Sequence, residues 1–255
     1  MLVDSHAHLD DSAYAEDLTA VIQRAKENGV SRIINIGADM DSSAKSLELS
    51  EKYEQIYAAV GIHPQDVVNA KAKDYDQLAV WLKLPKVVAL GEIGLDYYYD
   101  DGAPRELQRK IFIEQIDVAK QMNKPIVVHN RDAHGDVMDI LKKEAKGLTG
   151  VMHCYSGSWE MAKELIKMNF FLSVGGPVTF KNSAKLPEIV AKIPLEYLLL
   201  ETDCPYLTPQ PYRGKRNEPA YIKIIAEKIA QIRNITVEEL AVTTTDNVKN
   251  LFGIK

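Results

Sequence analysis

Cysteine is scarce in this sequence, and positive charge is not in excess. The 255 residues include two cysteines, Cys154 and Cys204, too few for a disulfide framework and without the Cys-x-x-Cys spacing of many zinc sites. We interpret both as reduced, small buried hydrophobic residues, with a thiolate metal ligand as the less favoured alternative. The net charge of −5 argues against a large basic surface for non-specific nucleic-acid binding. It does not exclude a nucleic-acid substrate, because bound metal ions would add positive charge locally.

Long hydrophobic runs are also missing. No apolar stretch approaches the roughly 18 residues that a membrane-spanning helix needs. The start of the chain, Met1 to His6, lacks the basic region, apolar run and cleavage site of a secretory signal. We therefore expect a cytoplasmic protein with no membrane partner. The acidic net charge and the absence of an apolar helix face free for a partner favour a monomer.

Short apolar segments alternate along the chain with longer segments of helical spacing. The apolar segments, rich in Val, Ile and Leu like buried parallel strands, are Leu2–Ser5, Arg32–Gly37, Ile56–Gly61, Val87–Gly91, Pro125–Val128, Gly150–His153, Phe171–Gly175 and Tyr197–Glu201. The helical segments with clear apolar faces are Asp17–Asn28, Arg105–Met122, Ala133–Ala145, Trp159–Met168, Ala184–Ala191, Ala220–Arg233 and Val237–Leu251.

Eight strands, each followed by a helical segment, predict an α/β fold with a parallel sheet. The length is typical of a (β/α)₈ barrel, the TIM-barrel fold. An open doubly wound sheet would carry a glycine-rich phosphate loop after its first strand, where this chain has His6-Ala7-His8. We therefore expect a single (β/α)₈ barrel domain over residues 1–255.

Histidines and carboxylates follow the predicted strands, at the ends where (β/α)₈ barrels carry their chemistry. The candidate metal ligands are His6, His8, Glu92, His129, His153 and Asp203. His6 and His8 lie two residues apart, so on a strand both side chains point to one face. Taken alone, each residue has an ordinary structural explanation, such as a hydrogen-bonded histidine or a salt-bridged Glu92. Taken together, they predict a metal centre.

The end of the eighth strand offers two carboxylates. Glu201 and Asp203 share a face by the two-residue period of a strand. We favour Asp203 as the ligand because it lies farther out. Glu201 is then an inner support or the partner of a basic group.

Six stretches of the chain together resemble the TatD family of metal-dependent hydrolases. They are VDSHAHLD (3–10), GEIGLDYY (91–98), PIVVHNRDA (125–133), MHCYSG (152–157), LLLETDCPYLTP (198–209) and RGKRNEP (213–219). One position departs from the family pattern: Gly135 stands where an acidic residue is expected, and Asp136 follows. This difference lies beyond the ligands, so we do not expect it to change metal binding.

The resemblance implies two divalent metal ions that activate a water molecule. The first ion would bind His6, His8, Glu92 and Asp203, and the second would bind Glu92, His129 and His153, with Glu92 as the bridge. Glu92 and Asp203 are the candidate catalytic residues, and Asp203 is the candidate general base. Mixed nitrogen and oxygen ligands are compatible with Zn²⁺, Mn²⁺ or Co²⁺, whereas Mg²⁺ prefers oxygen and would bind weakly. The candidates for the native ion are Mg²⁺, Mn²⁺ and Zn²⁺, and the sequence does not choose among them.

Several residues near the strand ends are candidates for substrate binding. His63 follows the third strand and could donate to a phosphate oxygen, or it could simply make a loop hydrogen bond. Arg131 follows His129 by two residues, and Arg213, Lys215 and Arg216 form a basic loop after the eighth strand. The three tyrosines at 97–99 could stack on a nucleobase, or they could be packing residues.

The function most consistent with these features is phosphodiester hydrolysis. The resemblance implies a deoxyribonuclease, most simply an exonuclease acting on single-stranded DNA. The alternative enzyme is a metal-dependent carboxylic ester or amide hydrolase, such as an aminoacyl-tRNA deacylase. A non-catalytic protein with a structural metal is disfavoured, because structural zinc sites are closed by four protein ligands.

Overall fold

A computed structural model describes residues 1–254, and in them eight strands alternate with helices. The strands are β1 (Leu2–Ala7), β2 (Val30–Ile36), β3 (Ile56–Val60), β4 (Val87–Asp96), β5 (Ile126–Arg131), β6 (Gly150–Met152), β7 (Phe170–Val174) and β8 (Leu198–Leu200). The helices are α1 (Leu18–Glu27), α2 (Met40–Lys52), α3 (Ala72–Trp81), α4 (Arg105–Met122), α5 (His134–Glu144), α6 (Trp159–Lys167), α7 (Lys185–Val190), α8 (Ile222–Arg233) and α9 (Val237–Phe252). The sheet order is β1 to β8, and the predicted (β/α)₈ class is confirmed.

Helices α2 and α3 occupy the two connections for which the sequence pattern gave no bounds. The buried positions of α2 are Ser43, Ser46 and Ser50, so this helix has no apolar stripe to read. Its start is set by a capping box, in which the Asp39 side chain accepts from the Ser42 N–H at 2.7 Å. A strong N-terminal cap and small buried side chains therefore replace hydrophobic periodicity here.

The first of two compact units comprises residues 1–35, 154–162 and 172–254. Within it β7 pairs with β8 and β1 pairs with β2, in parallel register. A bridge between Ala7 and Cys204 links the end of β1 to the segment after β8. Every residue of β1 is buried, as expected for a strand covered on both faces.

The second compact unit comprises residues 36–153 and 163–171. Strands β3, β4, β5 and β6 pair in that order, in parallel. Strand β4 is buried along all ten residues and continues past the predicted end at Gly91. A Cβ atom on Gly94 (φ +146°) would lie 2.0 Å from the His129 carbonyl oxygen, so only glycine lets β5 approach this closely. The expectation of one domain stays a prediction.

None of the helices in residues 1–254 is long and apolar enough to cross a membrane.

Candidate functional site

The first cluster of potential metal ligands lies in the first unit and consists of His6, His8 and Asp203. The Nε2 atoms of His6 and His8 are 3.1 Å apart. Asp203 Oδ1 lies 3.7 Å from Nε2 of His6 and 3.5 Å from Nε2 of His8. Two ligand atoms of a tetrahedral ion, each about 2.0–2.1 Å from the metal, are about 3.3 Å apart. The three donors therefore fit a shared ion with small adjustments.

A buried carboxylate fixes the segment that carries Asp203. Asp4 accepts hydrogen bonds from the Thr202 N–H at 2.9 Å and from the Thr202 hydroxyl at 2.6 Å. Asp203 has a left-handed backbone (φ 55°), and its N–H donates to the His6 carbonyl at 2.9 Å. Burial raises the pKa of Asp4 to about 7, although the bonds from Thr202 oppose that shift. Asp4 and Thr202 are thus positioning residues that the sequence motifs did not single out.

The second cluster lies in the second unit and consists of Glu92, His129 and His153. Glu92 Oε1 lies 2.6 Å from His129 Nδ1 and 2.8 Å from His153 Nε2. The two imidazole nitrogens are 3.3 Å apart. Glu92 and His129 belong to neighbouring strands β4 and β5, and His153 directly follows β6. One carboxylate oxygen and two imidazole nitrogens are suitable ligands for a divalent ion, which would widen the two short distances to Glu92 by about 0.5–0.7 Å.

Asp96 is a site residue that the sequence analysis missed. Its Oδ2 atom lies 3.2 Å from His129 Nε2, while Nδ1 of the same ring faces Glu92 and His153. Burial alone would lower the pKa of His129, but the contacts with Asp96 and Glu92 outweigh it and the pKa is raised. A carboxylate on the second ring nitrogen of a ligating histidine fixes its tautomer and orientation. The sequence signal for Asp96 is its position in the stretch GEIGLDYY, where it is the last residue of β4.

His63 lies beside this second cluster, as a residue for substrate contact requires. Its ring centroid is 4.5 Å from that of His129, and its Nε2 lies 4.0 Å from Glu92 Oε1. The His63 Nδ1 accepts from the Gln65 N–H at 3.2 Å, so the proton of the neutral ring is on Nε2. Burial lowers the pKa of His63 to about 3. The ring is therefore neutral at pH 7, with its Nε2–H as a donor.

The basic loop after β8 is exposed at Arg213, Lys215 and Arg216, and Arg216 also forms an ion pair. Arg216 donates to both carboxylate oxygens of Asp17, at 2.7 and 2.8 Å, so it holds the loop to the first unit. The Arg213 guanidinium lies 4.1 Å from the Phe180 ring centroid. Arg213 and Lys215 are exposed, and substrate binding by these three residues stays a prediction.

Asn217 ties this basic loop to the segment that carries Asp203. Its side-chain amide donates to the Thr202 carbonyl at 2.8 Å and to the Tyr206 carbonyl at 2.6 Å. Its own carbonyl accepts from the Tyr14 hydroxyl at 2.6 Å. Asn217 is fully buried, so the loop and the ligand segment are joined by a buried polar network.

The cysteines and Glu201 differ in part from expectation. Cys204 is buried as predicted, but Cys154 is only half-buried, because it follows β6 in a left-handed turn (φ 43°). Glu201 Oε1 accepts a hydrogen bond from the Cys154 N–H at 2.7 Å. This contact agrees with the first of its two expected roles, an inner support. Strand β8 ends at Leu200, so the two-residue period that placed Glu201 and Asp203 on one face does not apply.

Comparison with known proteins identifies the family of this chain. A family model described as TatD related DNase matches residues 3–253. The chain belongs to this family. Its relatives include the metal-dependent hydrolase YabD of Bacillus subtilis, 50% identical over 255 residues and covering all of both chains. The metal-dependent hydrolase YcfH of Escherichia coli K12 is 37% identical over 257 residues, with 99% of this chain and 96% of the relative covered.

Solved structures of TatD proteins have the same fold. YjjV, a TatD homologue from E. coli K12, is 32% identical, with a TM-score of 0.94 over 100% of this chain and 98% of that chain. A TatD-family hydrolase from Entamoeba histolytica is 27% identical, with a TM-score of 0.88 over 98% and 97% of the two chains. This TatD-family chain is a metal-dependent hydrolase. The names of its relatives state a metal dependence and a hydrolase activity, and they specify neither the metal nor the substrate.

Proposed function

We propose that this TatD-family hydrolase is a deoxyribonuclease that shortens single-stranded DNA from one end. The observation that carries the proposal is the pair of clusters, each with histidine nitrogens and a carboxylate oxygen within 4.8 Å of one another. Such groups suit one divalent ion each, and a pair of divalent ions is a common centre for phosphodiester hydrolysis. The family description adds DNA as the substrate. We further propose that the chain acts as a cytoplasmic monomer.

The donor set decides which ions to test. Both clusters mix imidazole nitrogen with carboxylate oxygen, which suits Zn²⁺ or Mn²⁺, whereas Mg²⁺ would rely on the carboxylates. A divalent ion held there would lower the pKa of a coordinated water and polarise a phosphoryl group. The bridging role of Glu92 implied by the family resemblance stays a prediction.

Two side chains of the protein have chemical roles in this proposal. Asp203 would accept a proton from the attacking water, since its carboxylate belongs to the first cluster and is held in place by the neighbouring Thr202. His63 would donate its Nε2–H to a non-bridging phosphate oxygen, because the ring is neutral and its Nδ1 is already engaged.

The test is cleavage of single-stranded DNA labelled at its 5′ or 3′ end. The metal-stripped protein receives Mg²⁺, Mn²⁺ or Zn²⁺ separately, beside the variants Glu92→Gln and Asp203→Asn. A matched control is His134→Asn, which changes a histidine outside the clusters at the start of α5. We expect metal-dependent shortening from one end, reduced at least about hundredfold in the two site variants and unchanged in the control.

The opposite result is equally informative. If the metal-loaded protein bound its ions but cleaved no DNA with any of them, the deoxyribonuclease proposal would be wrong. Turnover of carboxylic esters, amides or an aminoacyl-tRNA by the same preparation would then assign the clusters to acyl substrates.

A further inference from the structure

Two exposed tyrosines and an arginine form a stacked group beside the second cluster. Tyr98 and Tyr99 lie in the segment after β4, one residue beyond its end, and Arg131 is the last residue of β5. The Arg131 guanidinium carbon lies 3.6 Å from the Tyr98 ring centroid and 5.3 Å from that of Tyr99, and Nη1 donates to the Tyr99 hydroxyl at 3.3 Å. We call these three residues the tyrosine platform.

The tyrosine platform leaves much aromatic surface in solvent. Tyr98 is 54% exposed and Tyr99 is 49% exposed, with ring centroids 5.0 Å apart and planes at 90°. The preceding Tyr97 differs, because its hydroxyl donates to Asp136 at 2.7 Å and its ring lies under the Arg105 guanidinium at 4.4 Å. Tyr97 is thus a packing residue, while Tyr98 and Tyr99 pack against Arg131 and each other and still leave about half of their surface in solvent.

Short connections join the tyrosine platform to the second metal cluster. The Tyr98 N–H donates to Asp96 Oδ1 at 3.0 Å, and Asp96 Oδ2 contacts His129 Nε2 at 3.2 Å. The Tyr97 N–H donates to the Arg131 carbonyl at 2.9 Å. Because Arg131 is also two residues from His129, the platform is positioned by the same strand ends as the ligands.

We propose that the tyrosine platform binds a nucleobase of the single strand next to the bond that is cleaved. This proposal rests on the proposed nuclease function and names the substrate contact that such a site needs. Aromatic faces take any base, since every base has a π-face. The stacked guanidinium of Arg131 orders both rings. The tyrosine side chains therefore lose less conformational entropy when a base binds.

The chemistry around the platform favours a base over a phosphate as the occupant. Asp100 and Asp101 follow Tyr99 in the chain, and Asp132 follows Arg131. These carboxylates are chain neighbours of Tyr99 and Arg131, and their negative charge disfavours a phosphate, whereas a neutral base bears no charge to repel. Substrate binding by Arg131 stays a prediction, and its stacked guanidinium favours support of a bound base over direct contact with a phosphate.

We would test this inference by measuring how tightly the metal-loaded protein binds single-stranded DNA. The DNA carries phosphorothioate linkages so that it resists cleavage. One probe carries the fluorescent base 2-aminopurine at its end, and a second has an abasic site at the same position. We expect the Tyr98→Ala/Tyr99→Ala variant to bind the first probe at least about tenfold more weakly and to lose its fluorescence quenching. The abasic probe should bind the variant and the unchanged protein equally.

Two further variants separate stacking from other effects. Tyr98→Phe/Tyr99→Phe keeps both rings and should retain most of the affinity. Tyr57→Ala removes a ring that lies under Lys86 at 5.5 Å, in β3 of the same unit, and should change nothing. Equal binding of both probes by the unchanged protein would overturn the platform, as would an equal loss in the Phe variant. Base-dependent binding without cleavage of unmodified DNA would support the tyrosine platform and refute the nuclease proposal.

Discussion

Replacing Thr202 by valine removes the hydroxyl that donates to Asp4 while nearly preserving side-chain shape. The lost bond is 2.6 Å long and fully buried. A hydrogen bond to a charged partner contributes about 1.5–3 kcal/mol to the free energy of unfolding. For a chain of this size each kcal/mol moves the melting temperature by about 2–4 °C, so Thr202→Val should melt about 3–12 °C lower.

The same substitution should weaken metal binding at the first cluster. Asp203 follows Thr202 and keeps a left-handed backbone (φ 55°), a conformation that needs support from its neighbours. Outer contacts of metal sites are worth about 10–100-fold in affinity, and we expect about tenfold here. Titration calorimetry of Zn²⁺ or Mn²⁺ into the stripped protein measures this affinity.

The loss of stability should also depend on pH in a defined direction. Burial raises the pKa of Asp4 to about 7, and the Thr202 hydroxyl stabilises the ionised form. Removing the hydroxyl raises the pKa further, so the folded state loses stability as pH rises through that range. Urea unfolding of Thr202→Val should therefore show a larger loss at pH 8 than at pH 6.

Two controls make this prediction refutable. Thr202→Ser keeps the donor and should behave like the unchanged protein. Thr244→Val removes a buried hydroxyl that donates to the Leu240 carbonyl at 2.9 Å in α9, and should cost about 1 kcal/mol with no change in metal affinity. Metal affinity of Thr202→Val equal to that of Thr244→Val would refute the positioning role of Thr202.

Three other outcomes follow from the site and its surroundings. His63→Ala should raise KM for DNA about tenfold with little change in kcat, because it removes a donor to a charged oxygen; an unchanged KM in steady-state kinetics would leave His63 only its loop hydrogen bond. When the free metal concentration is about 100 times the Kd, removing the metal with EDTA should lower the melting temperature by at least about 5 °C. In the His8→Ala variant, EDTA should cause a smaller decrease in a thermal melt. The Arg216 hydrogen bond lowers the pKa of Asp17 from 3.8 to about 2, so it stabilises the fold above pH 4 and the contribution disappears by pH 2; acid titration of Asp17→Asn should lack that component.

The fold class could be predicted because its signal repeats along the whole chain. Apolar strands alternate with amphipathic helices, and one ambiguous segment does not change the pattern. Helix α2 lacks this signal, since its buried face consists of serines. Its helical state comes from the Asp39 cap and from packing against β3, which no periodicity reports.

The candidate ligands could be predicted where a strand carries them. His6 lies in β1 and His129 in β5, so the end of an apolar run located both. The two-residue strand period does not apply to Asp203, because β8 ends at Leu200 and the backbone then turns, so the stretch LLLETDCPYLTP is the signal that predicts this ligand. Asp96 was missed because Gly94 (φ 146°) carries β4 beyond the point where its apolar run stops. Such local backbone geometry is set by tertiary contacts and is not visible in residue spacing.

Asn217 has a consequence for how this hydrolase would meet its substrate. The basic loop is fastened by buried hydrogen bonds to the backbone on both sides of Asp203, so it is unlike a hinged lid that closes after binding. If Arg213 bound a phosphate, the backbone of the basic loop would already be held in place. The loop would then lose little conformational entropy on binding. Conversely, we expect a substitution at Asn217 to weaken both substrate binding and metal affinity, although Asn217 belongs to neither cluster of potential ligands.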